Sequence, residues 1–276
     1  MNAGRTLLLS ALAIAATVGC SRNKPPYIPH NPALQRLPVY FYPDRSATAA
    51  RAVIFFFGND VGFWAPHRDL AEYLSGEGYA VVGFDMRAFL ADLPEAPTQR
   101  DSAFRARILP LIASARDEIH ADSLPLIIVG HSLGSEVAIW TAAFARPPGT
   151  VGVIAMSPGL RSHLRVSASD LLNGPEPEEP GSFSVPLTLH EIQPAIRVAI
   201  VRGDHDKYRY ADSALIAAGG SRIHGYIVPF ASHSLKRIIV ARPVMRQALD
   251  WLLEGVPAPS VAGTDARNAG RGARGK

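Results

Sequence analysis

Cysteine is almost absent from this sequence. Cys20 is the single cysteine among 276 residues, so no disulfide can form within the chain. The apolar stretch at residues 7–18 is too short to span a bilayer as a helix. Because 47% of the residues are hydrophobic and only 19% are charged, disorder of the whole chain is excluded. Stability must therefore come from one hydrophobic core, of the size expected for a single α/β domain.

An excess of positive charge is absent from most of the chain. The formal net charge is +4, and residues 256–276 hold four cations against Asp265 alone. Together with Arg5, these account for the whole excess, so the central part of the chain is electrically neutral. It also lacks a stripe of basic and aromatic residues that could follow a phosphate backbone. We expect no nucleic-acid partner, and we predict a disordered basic tail over 256–276.

The N-terminus has the pattern of an export signal. Arg5 precedes the apolar residues 7–18, and Gly19-Cys20 follows them, which resembles a bacterial lipobox. We predict a lipoprotein signal peptide over 1–19, lipidation of Cys20, and a membrane anchor on the periplasmic side. A soluble periplasmic or secreted protein is the alternative. Residues 20–37 are polar and rich in proline, which predicts a tether.

Strand and helix patterns alternate over residues 38–255. Apolar β-rich runs predict strands at 39–42, 52–57, 80–84, 125–129, 151–156, 196–201 and 223–228. Helical spacing occurs at 66–75, 101–120, 135–144, 208–218 and 235–254, with Asp101 as the expected cap of the second helix. Connections of this length predict an α/β fold, a doubly wound and mostly parallel sheet. Such sheets place their sites at the carboxyl ends of the strands.

A motif of type G-x-S-x-G, Gly130-His131-Ser132-Leu133-Gly134, directly follows the strand predicted at 125–129. A sharp strand-to-helix turn exposes a serine hydroxyl and places it beside backbone N–H groups. The two glycines lack a Cβ, so that strand and helix can approach each other closely. The motif and its setting predict that Ser132 is a nucleophile.

A nucleophilic serine needs a base and an acid that orients the base. In this type of turn they follow the serine in the order acid, then histidine. His233 lies beyond the strand predicted at 223–228, and Asp204 and Asp206 lie beyond the strand at 196–201. We predict His233 as the base and Asp206 as the acid, with Asp204 as its rival.

The remaining histidines fit catalysis or metal binding less well. His224 lies inside a predicted strand, and His131 is expected to point away from the turn. His190-Glu191 begins an H-E-x-x-H pattern, but Pro194 occupies the place of the second histidine. Residues 203–206 offer two carboxylates without further oxygen ligands. We expect no metal and no cofactor.

The oxyanion formed during acyl transfer needs two hydrogen-bond donors. Leu133 follows the serine at the start of a helix, so its N–H is one expected donor. The second is expected from the loop after the strand at 52–57, from the N–H of Asn59 or Asp60.

These motifs make residues 39–253 resemble an α/β-hydrolase. Within that superfamily, Gly58–Trp64, Gly83–Leu90 and Gly130–Glu136 resemble the VirJ/AcvB group of exported bacterial virulence-associated proteins. The resemblance implies a lipid or aminoacyl ester as substrate, since the group is associated with hydrolysis of aminoacylated phosphatidylglycerol. It also allows an unspecified protein partner.

An aminoacyl ester carries an ammonium group, so its pocket needs a carboxylate besides the acid of the triad. Glu136, Asp85 and Asp60 are the candidates, and Trp64 belongs to the same expected pocket. Residues 159–194 are expected to form a small cap over it. In this cap, the acidic and proline-rich stretch 174–181 predicts a mobile loop, and the alternation over 183–189 predicts a small strand.

Three functions remain open from the sequence. The first is a serine hydrolase that cleaves an ester at the cell envelope. The second is an exported binding or secretion-associated protein with the same fold and no catalysis. The third is an acyltransferase or peptidase, which would use the same acyl-enzyme as the hydrolase.

Overall fold

The apolar runs of the sequence form strands in the computed structural model, which describes residues 27–47, 49–172 and 174–257. The predicted signal peptide, Cys20 and most of the predicted basic tail lie outside these residues. The strands are β1 (Val39–Tyr42), β2 (Ala52–Phe57), β3 (Tyr79–Phe84), β4 (Leu126–His131), β5 (Thr150–Met156), β6 (Arg161–His163), β7 (Ser182–Ser184), β8 (Arg197–Gly203) and β9 (Ile223–Val228).

Seven of these strands form one sheet in the order β1-β3-β2-β4-β5-β8-β9. β1 pairs antiparallel with β3, and every other pair is parallel. The helices that connect or flank the strands are α1 (Ala65–Gly76), α2 (Met86–Ala91), α3 (Pro97–Glu118), α4 (Leu133–Trp140), α5 (Ala168–Leu171), α6 (Val185–His190), α7 (Asp212–Ala217) and α8 (Ile238–Leu253). This is the predicted α/β fold with a mostly parallel sheet.

The sheet has a hydrophobic core on each face. Successive side chains of a strand point to opposite faces. Phe55 of β2 therefore packs into the core beneath α3 and α4, whereas Phe56 packs into the core beneath α1 and α8. Both side chains are fully buried, as expected for central parallel strands covered on both sides. The central strands are therefore covered by helices on both faces of the sheet.

Two predicted elements differ from the structure. α3 begins at Pro97, four residues before Asp101. In the first turn of a helix the N–H groups have no acceptor within the helix, so the N–H that proline lacks costs no hydrogen bond, and the proline ring already holds φ at a helical value. The predicted strand at 183–189 is correct only at its start. Ser184 ends β7 and accepts a hydrogen bond from Leu187 N–H, so α6 begins where the alternation predicted continued strand.

The second half of the predicted tether packs on the domain. The carboxylate of Glu118, at the end of α3, accepts hydrogen bonds from the N–H groups of His30 and Asn31 and from the hydroxyl of Tyr27. Although burial by itself would raise it, these bonds lower the pKa of Glu118 to about 2. Residues 27–37 therefore belong to the folded domain, which corrects the tether prediction for this segment.

The predicted cap, 159–194, contains the two-stranded sheet β6-β7 and the helices α5 and α6. The stretch expected to be a mobile loop is held by side-chain bonds. The carboxylate of Glu176 accepts a hydrogen bond from Leu160 N–H at 2.6 Å, and that of Glu179 accepts bonds from His163 and Arg165. None of the helices in the described ranges has the length and apolar character of a membrane span.

Candidate active site

Ser132 lies in the turn between β4 and α4. Its φ of 52° and ψ of −127° are unusual for a residue with a side chain, and this strain is typical of functional sites. The turn is held by hydrogen bonds from Ser132 N–H to the carbonyl of Met156 and from Ser135 N–H to the carbonyl of Ser132. The predicted sharp turn is therefore present, with the serine at its tip.

Two glycines make this turn sterically feasible. A Cβ added to Gly130 would overlap the carbonyl oxygen of Gly134, and one added to Gly134 would overlap the carbonyl oxygen of Gly58. These contacts join backbone to backbone, so rotation of a side chain could not relieve them. The start of α4 therefore lies directly against the end of β2, which brings the loop after β2 to the serine.

The structure brings Ser132, His233 and Asp206 together. The Oγ of Ser132 lies 2.9 Å from Nε2 of His233, and Nδ1 of His233 lies 3.2 Å from Oδ1 of Asp206. Because a carboxylate only accepts, Nδ1 carries the proton and donates to Asp206. Nε2 is then free to accept a hydrogen bond from the hydroxyl of Ser132.

Asp206 is held as an anion at this position. Its side chain is buried, it accepts a hydrogen bond from Tyr208 N–H at 2.9 Å, and it lies 3.2 Å from the guanidinium of Arg202. Burial alone would raise the pKa of Asp206, but the bonds from His233 and Tyr208 and the charge of Arg202 lower it well below the usual range. A permanent negative charge therefore faces the imidazole.

Asp204 has a different role. Its two carboxylate oxygens accept hydrogen bonds from the N–H groups of Phe230 and Ala231, at 2.9 and 3.1 Å. It thus holds the backbone of the loop that carries His233. Of the two candidate acids, only Asp206 contacts the histidine ring.

The loop after β2 lies beside Ser132, as the fold requires. Asn59 and Asp60 line the same cleft as Ser132 and Leu133, and Gly62 N–H donates to the carbonyl of Asn59 at 3.0 Å, which closes the loop. Leu133 is the first residue of α4, where an N–H has no acceptor in a preceding turn. All three residues predicted to supply oxyanion donors therefore line the cleft that contains Ser132.

The cleft around Ser132 has a volume of about 340 Å³. Segments 161–162, 169–171 and 174–177 of the cap form one wall of the cleft. Tyr208 also lines the cleft, and its ring packs against that of His233 with the centroids 5.1 Å apart. The acidic and basic residues that line the cleft are Asp60, Glu136, Arg161, Asp170, Glu176 and Lys236.

Glu136 lies in this lining, one turn along α4 from Ser132. It is buried and accepts a hydrogen bond from Gly159 N–H at 2.7 Å. Burial is the main cause that raises the pKa of Glu136 to about 7. Glu136 therefore changes charge near neutral pH.

Two residues expected in the pocket do not line the cleft. The side chain of Asp85 caps α2 by accepting a hydrogen bond from Ala88 N–H at 3.0 Å. Trp64 is the N-cap residue of α1 and lies at the far end of the loop after β2. Both corrections have the same reason, which is that these residues begin helices that lead away from Ser132.

Sequence reasoning missed several contributors to the site. His131 was expected to point away, yet it is buried and its Nε2 lies 3.0 Å from the carbonyl oxygen of His233. Arg202, Tyr208 and Glu176 carried no motif. Only the position of Arg202, near the end of a buried apolar strand, could have indicated that it needs a buried anion.

Over the described residues, no group of three or more His, Cys, Asp or Glu side chains could hold a metal ion.

Comparison with known proteins identifies the fold. No protein-family model matches the sequence, and no curated protein matches it. Among solved structures, the chain is similar to an esterase domain from Rhodothermus marinus, with 14% identity, a TM-score of 0.54, and coverage of 82% of this chain and 96% of that one.

Two further structures are similar to the same extent. A soluble variant of monoglyceride lipase from Saccharomyces cerevisiae shares 15% identity with a TM-score of 0.54, covering 78% of this chain and 91% of that one. Proline iminopeptidase from Mycobacterium smegmatis shares 12% identity with a TM-score of 0.54, covering 79% and 96%. The chain has the α/β-hydrolase fold. At these identities the likeness concerns the fold alone.

Proposed function

We propose that this protein is a serine hydrolase that cleaves carboxylic esters through Ser132, His233 and Asp206. The observation that carries the proposal is the continuous chain of contacts from Ser132 Oγ to His233 Nε2, at 2.9 Å, and from His233 Nδ1 to Asp206, at 3.2 Å. The strained backbone of Ser132 and the open cleft above it support the same reading.

Each step of the reaction has a group to perform it. Ser132 Oγ attacks the ester carbonyl carbon while Nε2 of His233 takes its proton, and Asp206 stabilises the imidazolium. The oxyanion accepts hydrogen bonds from Leu133 N–H and from the loop that carries Asn59 and Asp60. Collapse of the intermediate expels the alcohol, which takes the proton from His233. Water then attacks the acyl-serine while His233 accepts its proton. As this second intermediate collapses, the bond between the carbonyl carbon and Ser132 Oγ breaks, Oγ takes the proton back from His233, and the carboxylic acid leaves.

Labelling with a fluorophosphonate tests the activated serine. We expect the purified wild-type protein to be labelled, and we expect Ser132→Ala and His233→Ala to remain unlabelled while melting cooperatively. A folded wild-type protein that resists labelling would favour the non-catalytic binding protein. Mass spectrometry with a second acceptor, such as an amine or alcohol, separates hydrolysis from acyl transfer.

For the substrate, we propose an ester whose acyl group carries an ammonium ion, as in aminoacyl lipids. Four carboxylates line the cleft, those of Asp60, Glu136, Asp170 and Glu176, against the two cations Arg161 and Lys236. The guanidinium of Arg161 already donates to Pro177 and Ser182, so it is engaged by the cap. The sequence resemblance to the VirJ/AcvB group supports the same substrate class.

The test compares an Nα-acetyl-lysyl ester, whose side-chain ammonium stays charged up to about pH 10, with its fully acetylated, uncharged counterpart. In the wild type, the ratio of kcat/KM for the two should rise with pH through about 7, as Glu136 ionises. Taking the ratio removes every effect of pH that is common to the two substrates. Glu136→Gln should lower the ratio about tenfold, the effect of losing one ionic hydrogen bond. Asp85→Asn is the matched control, because Asp85 lies outside the cleft and asparagine also caps helices.

We also propose that the domain is exported and anchored to the periplasmic side of a membrane through a lipid on Cys20. The proposal rests on the sequence pattern of residues 1–20 alone. In cells, a labelled fatty acid should be incorporated into the wild type, and Cys20→Ser should remove both the label and sedimentation with membranes. Sedimentation that persists in Cys20→Ser would contradict the anchor.

A further inference from the structure

The residue immediately before Ser132 contacts the loop of the base. His131 ends β4, is 3% exposed, and has a hydrogen-bond partner at each ring nitrogen. Its Nε2 lies 3.0 Å from the carbonyl oxygen of His233, and its Nδ1 lies 3.0 Å from Nε2 of His67. One side chain therefore connects the turn of the nucleophile to the backbone of the proposed base.

His67 continues this connection into α1. It is 2% exposed and packs between Phe56 and Phe63, with ring centroids 5.3 and 5.4 Å away. Its Nδ1 accepts a hydrogen bond of 3.3 Å from the N–H of Trp64, the residue that ends the loop after β2. The path from Trp64 through His67 and His131 to His233 thus joins three loops of the site.

Both ends of this path determine where the protons lie. The N–H of Trp64 can only donate, so Nδ1 of His67 is unprotonated and Nε2 carries the proton. That proton is donated to Nδ1 of His131, so the proton of His131 is on Nε2 and is donated to the carbonyl of His233. All bonds run in one direction, and both rings are neutral. Burial, which lowers the pKa of His131 to about 4, favours this neutral state.

We infer that His67 and His131 are positioning residues, which hold the His233 loop at the distance from Ser132 that proton transfer needs. This inference rests on the proposed function of the triad. Neither ring touches the reacting atoms; each acts through the backbone of His233. Asp204 holds the same loop at Phe230 and Ala231, three and two residues before His233. Among the contacts described, only His131, supported by His67, restrains the carbonyl of His233 itself.

Conservative variants separate hydrogen bonding from packing. His131→Gln keeps an N–H donor near the position of Nε2, whereas His131→Asn is too short to reach the carbonyl of His233. His67→Phe keeps a ring between Phe56 and Phe63 but removes the donor to His131. Without that donor, His131 can move its proton to Nδ1 and present a lone pair to the carbonyl oxygen. His224→Asn is the control, since His224 is an exposed histidine of β9.

Two readouts on the full chain test the inference, namely the rate of fluorophosphonate labelling and hydrogen exchange of residues 229–235. We expect His131→Asn to lower the labelling rate about 100-fold, the cost of a displacement of about 1 Å, and His67→Phe about tenfold. Both should speed exchange in 229–235. His131→Gln and His224→Asn should remain within threefold of the wild type, and every variant should melt cooperatively.

The outcomes distinguish this inference from the proposed function. If the wild type is labelled and folded His131→Asn and His67→Phe match it in both rate and exchange, the positioning role is wrong. If His67→Phe alone matches the wild type, packing rather than the directed hydrogen bonds explains the pair, which also overturns the inference. If the wild type is not labelled, the proposed function fails, and exchange of 229–235 still decides whether the two histidines hold the loop.

Discussion

Asp206 accepts a hydrogen bond of 3.2 Å from Nδ1 of His233, whereas Asp204, two residues earlier, accepts bonds from the backbone of the same loop. The two carboxylates are only two residues apart, so a sequence pattern fits either of them equally well as the acid of the triad. In the folded chain one faces the ring and the other faces the main chain. Their substitutions should accordingly affect different properties.

Asp206→Asn should lower kcat about 10⁴-fold, because an amide no longer fixes the proton of His233 on Nδ1. Asp204→Asn should change kcat less than tenfold and instead lower the melting temperature by a few degrees, since it weakens two bonds to backbone N–H groups. Steady-state kinetics with a chromogenic ester and thermal unfolding measure both effects. An Asp204→Asn protein with the larger loss of kcat would reverse the assignment.

Gly134→Ala should destabilise the fold by about 3 kcal/mol or more, because the new methyl group meets the backbone of Gly58 and cannot rotate away. Chemical denaturation provides the free energy of unfolding. Gly76→Ala is the matched control, as a Cβ at Gly76 meets no atom within 4 Å and alanine favours the helix. Equal stability of the two variants would argue against the close approach of α4 and β2.

Glu136 should make stability depend on pH. Its folded-state pKa, about 7, lies above the ordinary value of 4.5, so burial favours the protonated form. The related stability is fully present below pH 4.5 and is lost as the pH rises through 7. Glu136→Gln cannot ionise, so between pH 5 and pH 8 its free energy of unfolding should gain up to about 3 kcal/mol relative to the wild type. Denaturation curves at the two pH values measure the difference, and parallel changes in both proteins would contradict the raised pKa.

Glu118→Ala should release residues 27–31 from the domain. The variant loses the acceptor for Tyr27, His30 and Asn31, at a cost of about 2 kcal/mol. Hydrogen exchange at 30 and 31 should rise while exchange in β4 stays unchanged. Protection that persists at these residues would mean that apolar contacts, such as that between Tyr27 and Phe41, hold the segment instead.

The sequence by itself determined the order along the chain of the seven strands of the large sheet, and it located Ser132, the proposed nucleophile. Local patterns carry this information, because buried parallel strands need continuous apolar runs and a strand-to-helix turn of this kind needs Gly130 and Gly134. His233 was also predictable, since it follows a strand on the side of the sheet where sites form. Asp101 and the alternation over 183–189 misled prediction because single residues, Pro97 and Ser184, decide where α3 and α6 begin.

Only the tertiary structure decided which of the nearby polar residues meet. The choice between Asp204 and Asp206 depends on the path of one turn, which spacing does not specify. His67 and His131 lie 64 residues apart in sequence, yet their ring nitrogens are 3.0 Å apart. Likewise, Asp85 and Trp64 do not line the cleft, whereas Glu176 of the cap does. Such contacts form between elements brought together by sheet packing, and no local pattern records them.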